Sequence, residues 1–141
     1  MKLTTKGRYA VMALADIAAF NKQNPVSLRD ISLRQNISLL YLEQIFSKLK
    51  KNNIVTSIRG VKGGYILTKE PHEVKLSNIL FAVNETVKTT NCKKESKKGC
   101  KGRLSKCITH ELWDELDLHI NNFFEKKNLS DFTKLSNKKE F

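Results

Sequence analysis

"SLLYLEQIFSKLKKNNIVTSIRGVKGGYIL", residues 38–67, contains the pattern that decides the fold. Its first half has apolar side chains at the spacing i, i+3, i+4 and i+7, which places them on one face of an α-helix. They are Leu42, Ile45, Phe46 and Leu49. Ser38 stands four residues before the first of them, where a hydroxyl can cap the first turn of a helix. The pattern therefore predicts a helix with one buried face.

The opposite face of this predicted helix is polar to basic. It carries Tyr41, Glu43, Gln44, Ser47, Lys48 and Lys51. Two short β-branched runs follow, at 54–58 and 64–67, and a loop containing glycine and two cations, Arg59 and Lys62, joins them. Such a pattern is typical of a β-hairpin. In this position, the hairpin is predicted to be a wing.

The residues before this stretch complete a helix-turn-helix pattern. Residues 9–20 are apolar except for Asp16, which predicts a mostly buried helix that ends before Asn24-Pro25. Ser27 is a predicted start for a short helix through about Gln35. We therefore predict a mainly α fold with a small β-hairpin wing, a winged helix-turn-helix. A small packing domain that binds no nucleic acid is the alternative, and the basic outer face disfavours it.

Two further helices are predicted downstream. The first lies near residues 75–87, and the second is a long helix over 108–127. The long helix has an apolar stripe formed by Leu112, Trp113, Leu116, Ile120, Phe123 and Phe124. A stripe of this length predicts a partner helix, and a second copy of the chain is the simplest partner. The long C-terminal helix is thus predicted to be a dimerisation helix.

Charge restricts the class of partner. The 141 residues contain 26 basic and 14 acidic side chains, a net charge of +12, which favours a polyanion: nucleic acid or an anionic membrane surface. No apolar run approaches the roughly 20 residues of a membrane span, and no export signal is evident, so we predict no membrane partner and a cytoplasmic location. No acid–base constellation accompanies the cysteines, and "GVKGGY" fits no phosphate-binding template. The chain is therefore predicted not to be an enzyme and to have no small-molecule substrate.

All three cysteines lie in the cysteine segment, residues 91–110, which is rich in lysine. Cys92, Cys100 and Cys107, with His110 three residues after the last, form a candidate Cys3His ligand set. Nearby cations stabilise thiolates and offset the negative charge of a cluster. Zinc sites usually pair two ligands two to four residues apart, whereas only Cys107 and His110 are that close. Spacing leaves an iron–sulfur cluster, zinc and a redox thiol open, and His110 taken alone is more typical of a capping or packing residue than of a ligand.

The candidate DNA contacts follow from the predicted winged helix. Lys48 and Lys51 are expected to touch phosphates, and the wing-tip cations are expected to approach the backbone or a minor groove. Glu43 is expected to accept a hydrogen bond from cytosine N4, although a pair with Ser47 or a nearby lysine is the alternative. Arg59 has a structural alternative too, which is to hold the hairpin turn. The full predicted set is Ser38, Tyr41, Glu43, Gln44, Lys48, Lys51, Arg59 and Lys62.

Four stretches of the chain resemble the Rrf-type family of bacterial winged-helix regulators. They are "MKLTTKGRYAVMALADIA", "YLEQIFSKLKKNNIV", "SIRGVKGGYIL" and "CITHELWDEL", and the resemblance runs from Met1 to about Phe124. The resemblance implies a homodimer that binds double-stranded operator DNA and whose long C-terminal helices cross. In the iron–sulfur regulators of the family, three cysteines and a histidine hold a 2Fe-2S cluster, which implies these roles for Cys92, Cys100, Cys107 and His110. It also implies a repressor of iron–sulfur assembly genes whose site preference changes when the cluster is lost, with the glutamate at position 43 tied to that discrimination.

Two departures from the iron–sulfur regulators, and one from the 4Fe-4S members of the family, bear on the cluster and the contacts. The wider first cysteine gap is more similar to nitric-oxide-sensing and iron-sensing members, which makes a 4Fe-4S repressor the alternative, beside a zinc or thiol-based redox regulator. Arg8 stands where the 4Fe-4S members have an acidic ligand, and this favours 2Fe-2S. Leu40 stands where the iron–sulfur regulators have a serine that contacts DNA.

The predicted organisation has five parts. They are a winged helix-turn-helix at 1–70, a connecting helix at 71–90, a cluster-binding loop at 91–110, a dimerisation helix at 111–130 and a C-terminal tail at 131–141.

Overall fold

Three helices and a hairpin form the first half of the chain. The computed structural model describes residues 3–20, 24–90 and 107–136, with side chains as far as residue 133. The elements of this half are α1 (Thr5–Phe20), α2 (Leu28–Gln35), α3 (Leu39–Lys51), β1 (Val55–Ile58) and β2 (Gly64–Leu67). A 3-10 turn (Pro71–Glu73) follows, and then α4 (Leu76–Ala82), α5 (His110–Lys126) and α6 (Ser130–Ser136). The predicted mainly α fold with a small β-hairpin wing is confirmed.

The helix-turn-helix begins and ends where the local chemistry predicts. Ser27 Oγ accepts a hydrogen bond from Asp30 N at 3.1 Å and caps α2. Asn36, in the left-handed region at φ 53°, ends that helix. Ser38 Oγ accepts from Tyr41 N at 3.3 Å, so the predicted cap of α3 is confirmed. Only α1 differs, because it begins at Thr5, four residues before the predicted start.

The wing is tied to the linker between α1 and α2. β1 and β2 pair antiparallel, with Val55 opposite Leu67 and Ile58 opposite Gly64. Val26 extends this pairing: Val26 N donates to Tyr65 O at 3.0 Å, and Tyr65 N donates to Val26 O at 2.8 Å. A Cβ on Gly64 would lie 2.4 Å from the carbonyl carbon of Val26, so this close approach requires glycine. The hairpin therefore has a defined orientation on the helices.

An ion pair between a buried carboxylate and an exposed arginine joins α1 to α2. Asp16 is buried, and its carboxylate accepts hydrogen bonds from Arg34 Nε at 2.9 Å and Nη2 at 2.7 Å. Gln35 Nε2 donates a third, at 2.8 Å. The hydrogen bond with Asp16 outweighs the effect of burial and raises the pKa of Arg34. The single charge in the predicted apolar helix therefore has a structural role, which the sequence pattern did not indicate.

The helix predicted over 75–87 is shorter than expected. α4 ends at Ala82, because Asn84 takes the left-handed conformation at φ 58° and Glu85 N donates to Leu80 O at 2.8 Å. Asparagine tolerates this conformation and commonly ends a helix there. Residues 83–90, the exit segment, therefore leave α4 in an irregular path. The prediction of a helix through Val87 was wrong.

After α5 the chain returns to the winged helix. Leu76 N donates to Lys127 O at 2.9 Å, and Leu129 N donates to Val74 O at 3.1 Å. Leu129 is fully buried in the hydrophobic core. The part of the chain predicted to be a tail begins inside α6, which packs against α1. Among the described residues, no helix has both the length and the apolarity needed to span a membrane.

Candidate functional site

The outer face of α3 is exposed and polar. Since successive residues of a helix are about 100° apart, the side chains opposite the buried stripe form one ridge. The ridge consists of Leu40, Gln44, Ser47 and Lys51, all exposed. Glu43, also exposed, lies beside the ridge, and half-buried Lys48 lies on its other side. The predicted outer face is therefore formed as one surface, with Leu40 at its N-terminal end.

The last turn of α3 carries three lysines, at positions 48, 50 and 51. Lys50 was not among the predicted contacts. Its Nζ donates to Ser57 Oγ on β1 at 2.8 Å, so it links the helix to the wing. A lysine at the end of a helix that closely precedes a strand can be expected to contact that strand. Only the folded chain shows which of the three lysines does so.

Tyr41 lies on the outer face of α3 and also packs against α1. Its ring packs edge-on against Tyr9 of α1, with ring centroids 5.7 Å apart. It also lines a shallow groove on the outer side of α3 together with Lys6, from the first turn of α1. Sequence reasoning missed Lys6, because only the packing of α1 against α3 brings that turn to this face. The groove joins α1 to the candidate DNA-binding surface.

Glu43 presents its carboxylate on this surface. Among the hydrogen bonds and ion pairs of the described residues, none joins Glu43 to Ser47 or to a lysine. An acidic group beside a basic surface is repelled by phosphate, and it gains from DNA only where a base donates to it.

The wing tip presents its cations to solvent. Arg59 and Lys62 are both exposed. Gly63 N donates to Gly60 O at 3.0 Å, which closes the turn between them, and Gly60 lies at φ 125°. A cationic turn of this kind suits the negatively charged backbone of a duplex.

The cysteine segment is described only at its C-terminal end. Cys92 and Cys100 lie outside the described residues. Cys107 is half-buried, and its carbonyl accepts from His110 N at 3.0 Å, which places the two residues in the turn that starts α5. Within the described ranges, no three His, Cys, Asp or Glu side chains form a metal-binding group.

His110 has the environment that a ligating histidine usually has. Its Nε2 lies 3.0 Å from Asp114 Oδ2, one turn further along α5. A carboxylate that bonds one imidazole nitrogen fixes the orientation of the ring. A thiol and an oriented imidazole three residues apart at the start of a helix fit two corners of a Cys3His set.

The residues just before the cysteine segment are anchored to α5. Thr89 N donates to Asp117 Oδ1 at 2.8 Å, and Asp117 is only 6% exposed. Because Thr89 precedes Cys92 by three residues, this bond holds the entry to the segment against the helix that begins at its exit. Asp117 was not singled out from the sequence, since a lone acid in an amphipathic helix usually faces solvent.

An exposed, polar-to-basic α3 beside a cationic hairpin defines a winged helix-turn-helix DNA-binding transcription regulator. The sequence profile of the Rrf2 family, described as iron-dependent transcriptional regulators, matches residues 3–135, and the chain belongs to this family. It is 47% identical over 131 residues to the HTH-type transcriptional regulator IscR of Photorhabdus laumondii, a match that covers 93% of this chain and 78% of the relative.

Solved structures agree with this assignment. IscR of T. potens superposes with a TM-score of 0.79 at 30% identity, covering 100% of this chain and 92% of that one. CymR, the global cysteine regulator of B. subtilis, also gives a TM-score of 0.79, at 27% identity, with 96% and 98% covered. The relatives are named as transcriptional regulators, which is a non-enzymatic role, and the prediction that the chain is not an enzyme is confirmed.

Proposed function

We propose that this IscR-type regulator is a homodimeric repressor of iron–sulfur cluster assembly genes that senses through a 2Fe-2S cluster. The observation that carries the proposal is the turn at the start of α5, where Cys107 and an Asp114-oriented His110 stand three residues apart. Cys92 and Cys100 complete the set by their place in the cysteine segment. A Cys3His set with one imidazole matches the ligands implied by the resemblance to the family's iron–sulfur regulators.

The DNA-binding surface of the proposed repressor combines α3 and the wing. Lys48 and Lys51 contact phosphates, and Arg59 and Lys62 approach the backbone or a minor groove. Gln44 and Glu43 face base edges, where the carboxylate accepts from cytosine N4. Ser38 and Tyr41 lie at the N-terminal end of α3, Ser38 as its cap and Tyr41 against Tyr9.

The homodimer is proposed from the apolar stripe of α5. Leu112, Trp113, Leu116 and Phe123 all remain exposed in the single chain. They fall on one side of the helix, next to the side where Phe124 packs on the hydrophobic core and Asp117 accepts from Thr89 of the exit segment. A two-fold dimer through this stripe would bury it and present two copies of α3 to two half-sites of an operator.

The cluster would supply the signal when bound, because its oxidation or loss changes the charge and the ligation of the cysteine segment. The chain's own part is to hold the segment at both ends: Thr89 is bonded to Asp117, and His110 is held by Asp114. A change in the segment therefore acts on α5 directly.

The decisive experiment is anaerobic purification followed by visible spectroscopy with iron, sulfide and zinc analysis. We expect a coloured protein with about two irons and two sulfides per chain. Cys92→Ala, Cys100→Ala and Cys107→Ala should each abolish the absorbance, and His110→Cys should retain a cluster with a shifted potential, because a thiolate adds negative charge. His119→Cys, on an exposed histidine of α5, is the matched control and should leave the spectrum unchanged.

Three outcomes would contradict the proposal. Full absorbance in any single cysteine variant would exclude the three-cysteine set. Four irons per chain would favour the 4Fe-4S repressor, which the wide first cysteine gap supports. A colourless protein containing zinc, or neither metal, would favour a zinc or thiol-based redox regulator instead.

Glu43 offers a test of the DNA-binding part. Glu43→Ala should widen the set of operators that cluster-free protein binds, with a loss of discrimination of about 1–3 kcal/mol per half-site. The measurement is the ratio of affinities for a cytosine-bearing operator and for one substituted at that base. An unchanged ratio would mean that Glu43 takes no part in base recognition.

A further inference from the structure

The exit segment, residues 83–90, is held at both ends by hydrogen bonds to different helices. Near its start, Glu85 accepts from Thr4 N at 3.1 Å and also from Thr4 Oγ1. Near its end, Thr89 N donates to buried Asp117 of α5 at 2.8 Å. Eight residues of chain therefore connect the N-terminus of α1 with the helix that follows the cysteine segment.

The contact of Glu85 is a helix cap supplied from a distant part of the chain. Thr4 directly precedes α1, and its carbonyl accepts from Arg8 N at 3.2 Å. The first N–H groups of a helix have no partner within the helix, and a negative charge there is stabilised by the helix dipole. Glu85, 81 residues further along the chain, provides that charge.

Gly7 makes the close approach of this carboxylate possible. A Cβ added at Gly7 would lie 2.9 Å from Glu85 Cγ and 3.0 Å from Oε2, closer than side chains normally pack. Any larger residue at this position of α1 would push the carboxylate away. The position of the Glu85 carboxylate therefore depends on the absence of a side chain at Gly7. The separation of the two residues along the chain does not indicate this contact.

The first turn of α1 is also part of the DNA-facing surface. Lys6 lines the groove beside α3 together with Glu43, Gln44 and Lys48. The ring contact between Tyr9 and Tyr41 holds the next turn of α1 against α3. The contacts that fix residues 4–7 therefore also fix the position of the Lys6 ammonium relative to the outer face of α3.

We propose that Glu85 is a positioning residue for DNA binding, whose carboxylate fixes the first turn of α1, and with it Lys6, beside α3. This inference rests on the proposed function, in which the α3 face binds DNA. Because the same exit segment is bonded to α5 through Thr89, the Glu85 contact also links α5 to the outer face of α3. A displacement of Thr89 would therefore be felt at Lys6.

Glu85→Gln tests the proposal, because it keeps the size of the side chain and removes its charge. The matched control is Glu115→Gln, which makes the same charge change at an exposed position of α5. The probe is a duplex selected from a random-sequence pool by the wild-type, full-length protein. Affinity is measured by fluorescence anisotropy over a series of salt concentrations, at a temperature at which every variant is folded.

Glu85→Gln should weaken binding about fivefold to tenfold, the effect of a poorly placed cation in each subunit. Its salt dependence, the slope of log K against log salt, should fall by about two units per dimer, because the displaced Lys6 of each subunit would lose a contact with phosphate and each such contact is worth about 0.9. Glu115→Gln should leave the slope unchanged. Lys6→Gln should reproduce both effects, and combining it with Glu85→Gln should add little, because both changes remove the same contact.

Gly7→Ala supplies an independent check. Alone it should weaken binding, because its methyl group displaces the carboxylate. In a Glu85→Ala background it should cause no further loss of affinity, and it should raise the melting temperature because alanine favours a helix interior.

The result that would overturn the inference is wild-type affinity and salt slope in Glu85→Gln with a lowered melting temperature, since Glu85 would then be a helix cap alone. Failure of the proposed function is distinguishable: in that case the wild-type protein itself would select no duplex from the pool.

Discussion

The buried carboxylate of Asp16 contributes to the fold through its hydrogen-bond partners. Asp16 is held by Arg34 and Gln35, its side chain is wholly buried, and the Arg34 side chain is 36% exposed. Such a pair stabilises the fold because three hydrogen bonds satisfy the carboxylate, while the partly exposed guanidinium retains contact with water.

Asp16→Ala should lower the free energy of unfolding by about 2–3 kcal/mol, because hydrogen bonds to a charged group are lost and Arg34 loses its partner. Urea denaturation measures the change. Asp30→Asn, at an exposed carboxylate in the first turn of α2, is the control and should cost less than about 1 kcal/mol. Equal losses in the two variants would mean that the buried pair adds nothing beyond a surface charge.

Glu85 gives the stability of the protein a pH dependence. Burial opposes its ionisation, but hydrogen bonds from Thr4 and the charge of Lys6 prevail and lower the pKa of Glu85 below its ordinary value of 4.5. A carboxylate whose pKa is lower in the folded state stabilises the fold above the unfolded value. That contribution is lost as the pH falls through the folded value.

The melting temperatures of wild type and Glu85→Gln should therefore differ most at neutral pH and converge as the pH falls below about 4.5. Thermal melts monitored by circular dichroism from neutral to acid pH measure the difference. A gap that stays constant across this range would show that the charge of Glu85 does not stabilise α1.

Among the elements, α3 combines a structural cap with a binding surface. Ser38 Oγ accepts from Tyr41 N, and the same hydroxyl lies at the end of α3 that is proposed to face DNA. The two roles respond differently to substitution, because aspartate caps a helix as well as serine but repels phosphate.

Ser38→Ala should lower the free energy of unfolding by about 1 kcal/mol, the usual effect of losing an N-cap. Ser38→Asp should keep the stability and weaken DNA binding, which separates the two roles. Chemical denaturation and anisotropy titrations with the same variants provide both measurements. If Ser38→Asp bound DNA as wild type does, the N-terminus of α3 would lie away from the phosphates.

For the molecule as a whole, the described residues include an unburied apolar stripe on α5. Leu116 lies near its centre, between Leu112 and Phe123. Leu118, two residues further along, is about 200° around the helix and 61% exposed on the other side. The chain therefore contains its own control for a test of dimerisation.

Leu116→Asp should weaken dimerisation at least about 100-fold, because two carboxylates would be buried in a two-fold interface without partners. Sedimentation equilibrium measures the dissociation constant. Leu118→Asp should leave it unchanged. A dimer that survives Leu116→Asp would place the interface on another surface.

The local pattern of the chain was sufficient to predict the class of fold and the exposed polar face of α3. The stripe from Leu42 to Leu49, the Ser38 cap and the glycine-bearing hairpin all depend on neighbours within a few residues, so their sequence spacing determines them. The cap, the helix and the wing were confirmed at the predicted residues. The cysteine and histidine ligands and the individual DNA contacts remain predictions.

Contacts between residues far apart along the chain were decided only by the tertiary structure. Glu85 reaches Thr4, Thr89 reaches Asp117, and Leu129 returns to the core, none of which has a local signal. The physical reason is that helix periodicity and capping depend on adjacent turns, whereas these partners meet only after the helices pack. The sequence alone therefore determines a winged-helix regulator with a cysteine segment, and packing decides how the residues before that segment are joined to α1 and α5.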